Sequence, residues 1–329
     1  MQNFKAYIFL VLCTLFWAGN FIVGKVATLF DVPPFTLNFY RWLIAFIILF
    51  PFTYKKIFQN IDEVKKNLIP LSIMGFASIT IFNSVVYYSL NYTQILNGVL
   101  MISTIPVLII FFSSCFTNEK IKITQIIGVI TSLMGVIIII TKLEFHKLLT
   151  LNLNKGDLWI LVAMISWATY SIMVKEKKIN LEPFALLETL IFIGLIFLIP
   201  FYFYELYNGQ YLQINIPVIL TIGYVVLFAG IGAYIFWIGA IQLIGPSRSG
   251  IFLHLMPVFS SLMAIFLIGE RLANFHIVGA LFILTGIIVS TKYKQCFYIK
   301  SYKTLTHLLK LHLLDVVNLF QCFYLNLIN

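Results

Sequence analysis

Long apolar stretches separated by short polar connections run along most of this chain. Each stretch is close to the about 20 residues that a helix needs to cross about 30 Å of hydrocarbon. None shows the strict alternation of apolar and polar residues that is typical of membrane barrel strands. The stretches lie at residues 6–28, 35–54, 68–90, 95–116, 123–141, 158–174, 183–204, 217–243, 247–268 and 273–291. The pattern predicts an all-α integral membrane protein with ten transmembrane helices.

Landmark residues of the first half recur in the second half. With a shift of 151 residues the matching pairs are Pro106/Pro257, Glu119/Glu270, Gly128/Gly279 and Gly135/Gly286, and with a shift of 150 Trp17 matches Trp167. Each half holds five apolar stretches, and an odd number of crossings gives the two copies opposite orientations. Inverted repeats of this kind are typical of secondary transporters.

The repeats divide the chain into four regions. We expect a first five-helix repeat at 1–142, a polar linker at 143–157, a second five-helix repeat at 158–292 and a tail at 293–329. The tail mixes apolar residues with charged ones, which disfavours an eleventh crossing and favours a cytoplasmic interfacial helix.

Composition supports the lipid bilayer as the protein's environment. Of 329 residues, 61% are hydrophobic and 10% are charged, against about 45–50% and about 25% in soluble domains. The net charge of +10 does not predict nucleic-acid binding, because most basic residues fall on one side of the predicted topology. The positive-inside rule then places both termini in the cytoplasm and the linker outside. Frequent Ile, Lys, Asn and Phe are typical of an AT-rich bacterial genome, which gives the bacterial inner membrane as the location.

Signatures of enzymes, metals and cofactors are missing from the sequence. The four cysteines and five histidines are scattered without ligand spacing, so no metal site is predicted. Residues 245–250 carry two glycines at P-loop spacing, but Ile251 and Phe252 follow where Lys and Ser/Thr are required. A channel would need a polar filter, and an intramembrane enzyme a nucleophile–base pair or metal cluster. We therefore expect no catalytic residues and no cofactor, with these two classes as alternatives to a transporter.

Aromatic and polar residues at mid-depth are the candidate solute ligands. They are Trp17, Asn20, Asn83, Tyr87, Trp167, Tyr170, Tyr234, Trp237 and His254. Together they predict an apolar, aromatic-rich cavity for a neutral, zwitterionic or aromatic solute, or for a cation held over ring faces.

Two positions leave alternatives open. His254 is either a hydrogen-bonded bundle histidine or a solute ligand and proton carrier. Arg41 either snorkels and caps backbone carbonyls or faces the interior and meets a partner there. Its neighbour Trp42 is expected to lie outside the proposed face.

Four short sequence motifs resemble those of a known family. They are FWAGNF at 16–21 followed by Arg41, SWATY at 166–170, GPSRSG at 245–250 and the LIGE motif at 267–270. Over about residues 6–293 the chain resembles EamA-type members of the drug/metabolite transporter superfamily. The resemblance implies two inverted five-helix repeats around a central cavity.

The same resemblance implies secondary transport of amino acids, amines, nucleosides or related small metabolites, often as export. An importer or exchanger of a host metabolite such as S-adenosylmethionine is the alternative. Protons are a candidate coupling ion. Substrate identity, direction and oligomeric state are not determined by these motifs.

Overall fold

The computed structural model describes residues 2–30, 32–89, 92–93, 95–117, 119, 121–149, 154–268 and 271–292. Within these ranges the chain forms helices and turns, with no strand. The tail at 293–329, for which an interfacial helix is predicted, lies outside the described residues. Residues 150–153 of the predicted linker also lie outside them.

Thirteen helices are described and are numbered here in chain order. They are α1 (Gln2–Leu29), α2 (Pro34–Gln59), α3 (Ile61–Lys66), α4 (Leu68–Ser89), α5 (Ile95–Ile102), α6 (Ile105–Phe116), α7 (Ile123–Thr141), α8 (His146–Leu149), α9 (Lys155–Glu176), α10 (Pro183–Tyr207), α11 (Ile216–Ile244), α12 (246–268) and α13 (Asn274–Lys292).

Eight of the described helices, α2, α4, α7 and α9 to α13, are long and apolar enough to cross a membrane. They coincide with eight of the ten predicted stretches, so the chain is an all-helical integral membrane protein. The first predicted stretch forms the single helix α1, whose 28 residues span about 42 Å at about 1.5 Å per residue.

The fourth predicted stretch, 95–116, differs from the expectation because it forms two helices. Pro106, near the start of α6, has no N–H to donate to the preceding turn, so a continuous helix would lose a hydrogen bond there. Thr104 lies at the break and donates both its N–H (2.9 Å) and its hydroxyl (2.7 Å) to the carbonyl of Met101. These bonds satisfy a carbonyl that the break would otherwise leave without a partner.

Contacts between chain-distant residues define two ends of the bundle. We call the end at which α1 begins the near end, and the end at which α1 finishes the far end. At the near end, Lys56 of α2 forms an ion pair with Glu182, just ahead of α10. At the far end, buried Glu205 near the end of α10 accepts the backbone N–H groups of Phe35 (3.0 Å) and Thr36 (2.6 Å) in the first turn of α2. α2 and α10 are therefore antiparallel.

Glycines bring α7 and α13 into close contact. A Cβ atom placed on Gly135 would lie 2.5 Å from the carbonyl oxygen of Gly279, and one on Gly128 would lie 2.5 Å from that of Gly286. Small residues at crossing points are what lets two helix backbones approach each other inside a membrane.

Two helices contain a π-helical segment in their middle. The segments are Phe76–Phe82 in α4 and Val225–Gly232 in α11, which occupy nearly equivalent positions in the two halves of the chain. A π segment widens the hydrogen-bond register from i+4 to i+5, and such segments are frequent at functional sites. Carbonyl groups inside these segments are therefore available to side chains from other helices.

Candidate functional site

A carbonyl in the π segment of α11 accepts hydrogen bonds from two other helices. The oxygen of Ala229 accepts the indole N–H of Trp17 at 3.0 Å and a guanidinium N–H of Arg41 at 2.9 Å. All the groups involved are buried. This carbonyl thereby joins α1, α2 and α11 at one point inside the bundle.

The carbonyl at the matching position of α4 also accepts two side-chain hydrogen bonds. The oxygen of Ser78, which is 151 residues before Ala229, accepts the hydroxyl of Tyr234 at 2.9 Å and the amide N–H of Asn83 at 3.3 Å. Asn83 also donates to the Tyr234 hydroxyl at 3.0 Å, and these two residues are themselves 151 positions apart. Residues from equivalent positions of the two halves thus meet in the middle of the bundle.

Six buried rings form the aromatic cluster, which consists of Trp17, Trp42, Trp167, Tyr170, Tyr234 and Trp237. The ring centroids of Trp17 and Trp167, the pair predicted from the repeat, are 5.2 Å apart, and those of Trp167 and Trp237 are 5.7 Å apart. Trp17 is 8% exposed and the other five rings at most 1%. In this conformation the six rings pack against one another and are shielded from solvent.

The expectation that Trp42 lies outside this face is wrong. Its side chain is fully buried, its ring lies 4.9 Å from that of Tyr234, and the Arg41 guanidinium lies 4.9 Å from its ring centroid. Consecutive residues of a helix point about 100° apart, and a helix with a wide interior-facing stripe buries both.

The remaining predicted ligands lie at the edge of the cluster. Asn20 and Tyr87 are partly exposed, whereas Asn83 is buried and is held by Tyr234 and Ser78. The side-chain oxygen of Asn20 is buried and has no hydrogen-bond partner in the part of the chain that the structure describes. Phe82, which the sequence interpretation did not select, is also partly exposed and lies 4.5 Å from the ring of Trp167. The predicted residues therefore separate into a packed centre and a partly open rim.

The geometry of His254 favours the bundle histidine over the solute ligand. Its ring is fully buried, with Nδ1 2.6 Å from the hydroxyl of Ser132 and Nε2 2.8 Å from the carbonyl of Ser103. A carbonyl only accepts, so Nε2 carries the hydrogen, and in a neutral ring Nδ1 accepts from Ser132. Both nitrogens are occupied, and the contact with Ser103 again joins positions 151 apart.

Two charged residues inside the bundle were missed or left undecided by the sequence interpretation. Arg41 is 1% exposed and faces the interior instead of snorkelling. Glu188, near the start of α10, is also 1% exposed, and neither of its carboxyl oxygens has a hydrogen-bond partner among the described residues. Its only sequence signal is a single acidic residue within the apolar stretch 183–204. The described ranges contain no group of three or more His, Cys, Asp or Glu side chains able to hold a metal ion.

Comparisons with known proteins agree with this architecture. An uncharacterized transporter of Bacillus subtilis, YyaM, is 23% identical and aligns over 88% of this chain and 95% of its own length. A protein of Escherichia coli named "Probable amino-acid metabolite efflux pump" is 24% identical over 85% of this chain and 92% of its own length. A solved crystal structure shares the fold with a TM-score of 0.72 at 14% identity, covering 87% of this chain and 96% of that one.

The sequence model of the EamA-like transporter family matches the chain twice, at residues 4–141 and 154–292. Because these two matches cover nearly all of the helical bundle, the chain belongs to the EamA-like transporter family.

Proposed function

We propose that this protein is a secondary active transporter that exports small metabolites of the amino-acid class across the bacterial inner membrane. The observation that carries the proposal is the convergence of helices from both halves on the carbonyls of Ser78 and Ala229, beside the aromatic cluster. Rings, an amide and a cation meet there, which suits a small solute with an apolar part and a charged part. The name of the relative in Escherichia coli supports the same solute class.

The proposed architecture is ten membrane-spanning helices arranged as two inverted five-helix repeats. Support comes from contacts between equivalent positions: Asn83 with Tyr234 and Ser103 with His254. In an inverted repeat such pairs lie near the axis that relates the two halves, which is where solute sites of secondary transporters are found.

The proposed conformation is closed at the near end and more open at the far end. Side chains between the aromatic cluster and the near end pack closely, as in the stacked rings of Tyr7 and Phe252, 5.5 Å apart. The partly exposed residues Asn20, Phe82 and Tyr87 lie on the far side of the cluster. With the near end in the cytoplasm, this is an outward-facing state. Alternating access would then require the near-end contacts to open.

The proposed topology has both termini in the cytoplasm and the linker outside, as the basic residues indicate. Single cysteines in a cysteine-free protein test it. An impermeant maleimide should label Glu144→Cys in intact cells and Asp62→Cys only after the membrane is permeabilised. Labelling of Asp62→Cys in intact cells would contradict the inverted-repeat topology.

Glu188 is our proposed proton carrier in place of His254, whose ring nitrogens are both occupied. A carboxyl group inside the membrane without a hydrogen-bond partner is more stable when it is protonated. The cations on α2, which packs against α10, have other contacts. Arg41 bonds to Asn83, Lys56 pairs with Glu182, and Lys55 lies 5.9 Å from the ring centroid of Tyr54. Glu188→Gln should abolish the dependence of transport on a pH gradient while solute exchange continues. Retention of the gradient dependence in Glu188→Gln would refute this assignment.

A flux assay in proteoliposomes without nucleotides tests the function itself. We expect saturable uptake of one or more labelled amino acids from a panel that also contains amines, nucleosides and sugars. Protein-free liposomes provide the background. Uptake that does not saturate would indicate a channel, uptake that requires ATP would contradict secondary transport, and chemical conversion of the solute would indicate an enzyme.

A further inference from the structure

We propose that Arg41 binds the carboxylate of the transported solute, so that the substrates of this protein are carboxylated metabolites. The inference rests on the proposed transport function and narrows its substrate class. Arg41 lies two turns inside α2, about 10 Å along the helix axis, and is 1% exposed. It is therefore a cation fixed within the bundle, at the level of the aromatic cluster.

Every described hydrogen-bond partner of this guanidinium group is neutral. One Nη atom donates to the amide oxygen of Asn83 at 3.0 Å and to the hydroxyl of Tyr87 at 3.2 Å, and the other donates to the carbonyl of Ala229 at 2.9 Å. The Nε–H group is buried and has no hydrogen-bond partner within the described ranges. Three hydrogen bonds thus go to neutral acceptors, and no acceptor among them carries a negative charge.

No carboxylate in the described part of the chain compensates the charge. The ion pairs found there are Lys56 with Glu182 and His146 with Glu144, all at exposed positions. Charges inside a membrane are costly and normally pair with an opposite charge or mark a ligand path. A buried cation that lacks its anion is strongly destabilised relative to a paired one. A solute carboxylate would supply the missing anion.

Tyr87 provides the route by which a solute reaches the guanidinium. Its side chain is partly exposed on the far side of the aromatic cluster, and its oxygen accepts from Arg41, so its own O–H remains able to donate. A carboxylate arriving from the far end can accept from both the Tyr87 hydroxyl and the guanidinium. The planar fork of an arginine matches the two oxygens of a carboxylate, which a lysine cannot do equally well.

A purely structural Arg41 would act differently on solutes. By bonding to Asn83 and Ala229, Arg41 also joins α2, α4 and α11. Loss of that bridge alone would lower the affinity for every solute by the same factor. A carboxylate anchor instead discriminates between an amino acid and its neutral amide. The ratio of the two affinities therefore separates the two roles.

The experiment titrates purified protein in nanodiscs with the L-amino acids and with their amides, using tryptophan fluorescence. L-phenylalanine and L-phenylalaninamide are the first pair. The parent should bind at least one acid about tenfold or more tightly than its amide, as expected for charge-assisted hydrogen bonds. Arg41→Gln should reduce the ratio to within about twofold, and Arg41→Lys should retain part of it. Arg248→Gln, which removes a cation near the start of α12, should keep the full ratio.

Tyr87→Phe is the second variant, because it keeps the Arg41 bridge between helices and removes only one hydroxyl group. It should lower the acid-to-amide ratio severalfold. An unchanged ratio in folded Arg41→Gln, or a parent that transports an uncharged solute or an amine in preference to amino acids, would overturn the role of Arg41 while transport itself stands. A parent that shows no nucleotide-independent flux of any panel solute would instead refute the proposed function.

Discussion

Replacing Trp17 and Trp42 separately by Phe tests whether hydrogen bonds, and not only packing, hold the centre of this bundle. Both side chains are buried in the aromatic cluster, and both substitutions remove the same pyrrole ring and N–H group. The indole N–H of Trp17 donates to Ala229 at 3.0 Å, whereas the indole N–H of Trp42 is buried and finds no acceptor among the residues that the structure describes. The two variants therefore differ in the hydrogen bond, and also in the contact between the Arg41 guanidinium and the Trp42 ring, which a Phe ring keeps in weaker form.

The expected difference follows from that bond. Trp17→Phe loses a hydrogen bond worth about 0.5–1.5 kcal/mol, while Trp42→Phe removes an unpaired donor whose burial costs about 1–3 kcal/mol. The Ala229 carbonyl keeps its bond from Arg41 and is not left unpaired. Trp42 is the more buried ring, so its replacement leaves the larger cavity, and the destabilisation from that cavity makes the difference between the two variants smaller. We expect Trp17→Phe to be the more destabilising by about 1–3 kcal/mol.

Unfolding of both variants in detergent, followed by circular dichroism during an SDS titration, measures this difference directly. Circular dichroism is suited because the fluorescence changes with the number of tryptophans. Equal free energies of unfolding, or a larger loss for Trp42→Phe, would refute the claim that the Ala229 carbonyl holds α1 against α11.

Three further substitutions test other parts of the structure. Burial raises the pKa of Glu119, against the lowering effects of the Ser247 hydroxyl bond and Arg248. The folded state therefore favours protonated Glu119, so the parent should lose stability relative to Glu119→Gln as pH rises from about 4 to 7. The difference between their thermal unfolding midpoints measures this, and a difference that does not change with pH would contradict it. Gly135→Ala should destabilise the protein by about 1–3 kcal/mol through overpacking. Gly223→Ala is the control, because no atom lies within 4 Å of the new Cβ, and it should leave the free energy of unfolding unchanged. Equal losses of stability in Gly135→Ala and Gly223→Ala would refute the close α7–α13 contact. Glu205→Ala should lower the free energy of unfolding by about 1.5–3 kcal/mol, because hydrogen bonds to a charged group are lost. The exposed Glu182→Ala should lower it by only about 0–1 kcal/mol. Similar losses in an SDS titration would contradict the role of Glu205 as a cap on α2.

The membrane-spanning helices could be predicted closely because one variable, apolar length, determines them. The stretch 183–204 corresponds to α10, Pro183–Tyr207, and the stretch 123–141 to α7, Ile123–Thr141. The break inside 95–116 was missed because a proline in a membrane helix can also be accommodated by a kink. Only the local hydrogen bonds of Thr104 show which outcome occurs.

The candidate site was harder to predict, because the rotation of each helix depends on packing. Trp17 and Trp167 were found through the repeat and do lie together. The interior positions of Arg41, Trp42 and Glu188 require knowledge of the neighbouring helices. The π segments have no distinct sequence signal, since their stability depends on donors such as Arg41 and Tyr234 that arrive from far along the chain.

Counterflow in nucleotide-free proteoliposomes is the most direct test of the central claim, that a gated site inside this bundle carries a carboxylated solute. Vesicles loaded with a high concentration of an unlabelled amino acid identified in the flux panel are diluted into a trace of the same labelled amino acid. A carrier should accumulate label transiently above equilibrium, and loading with the corresponding amide should produce little accumulation. Label that only equilibrates, with no overshoot for any amino acid bound by the protein, would contradict the account.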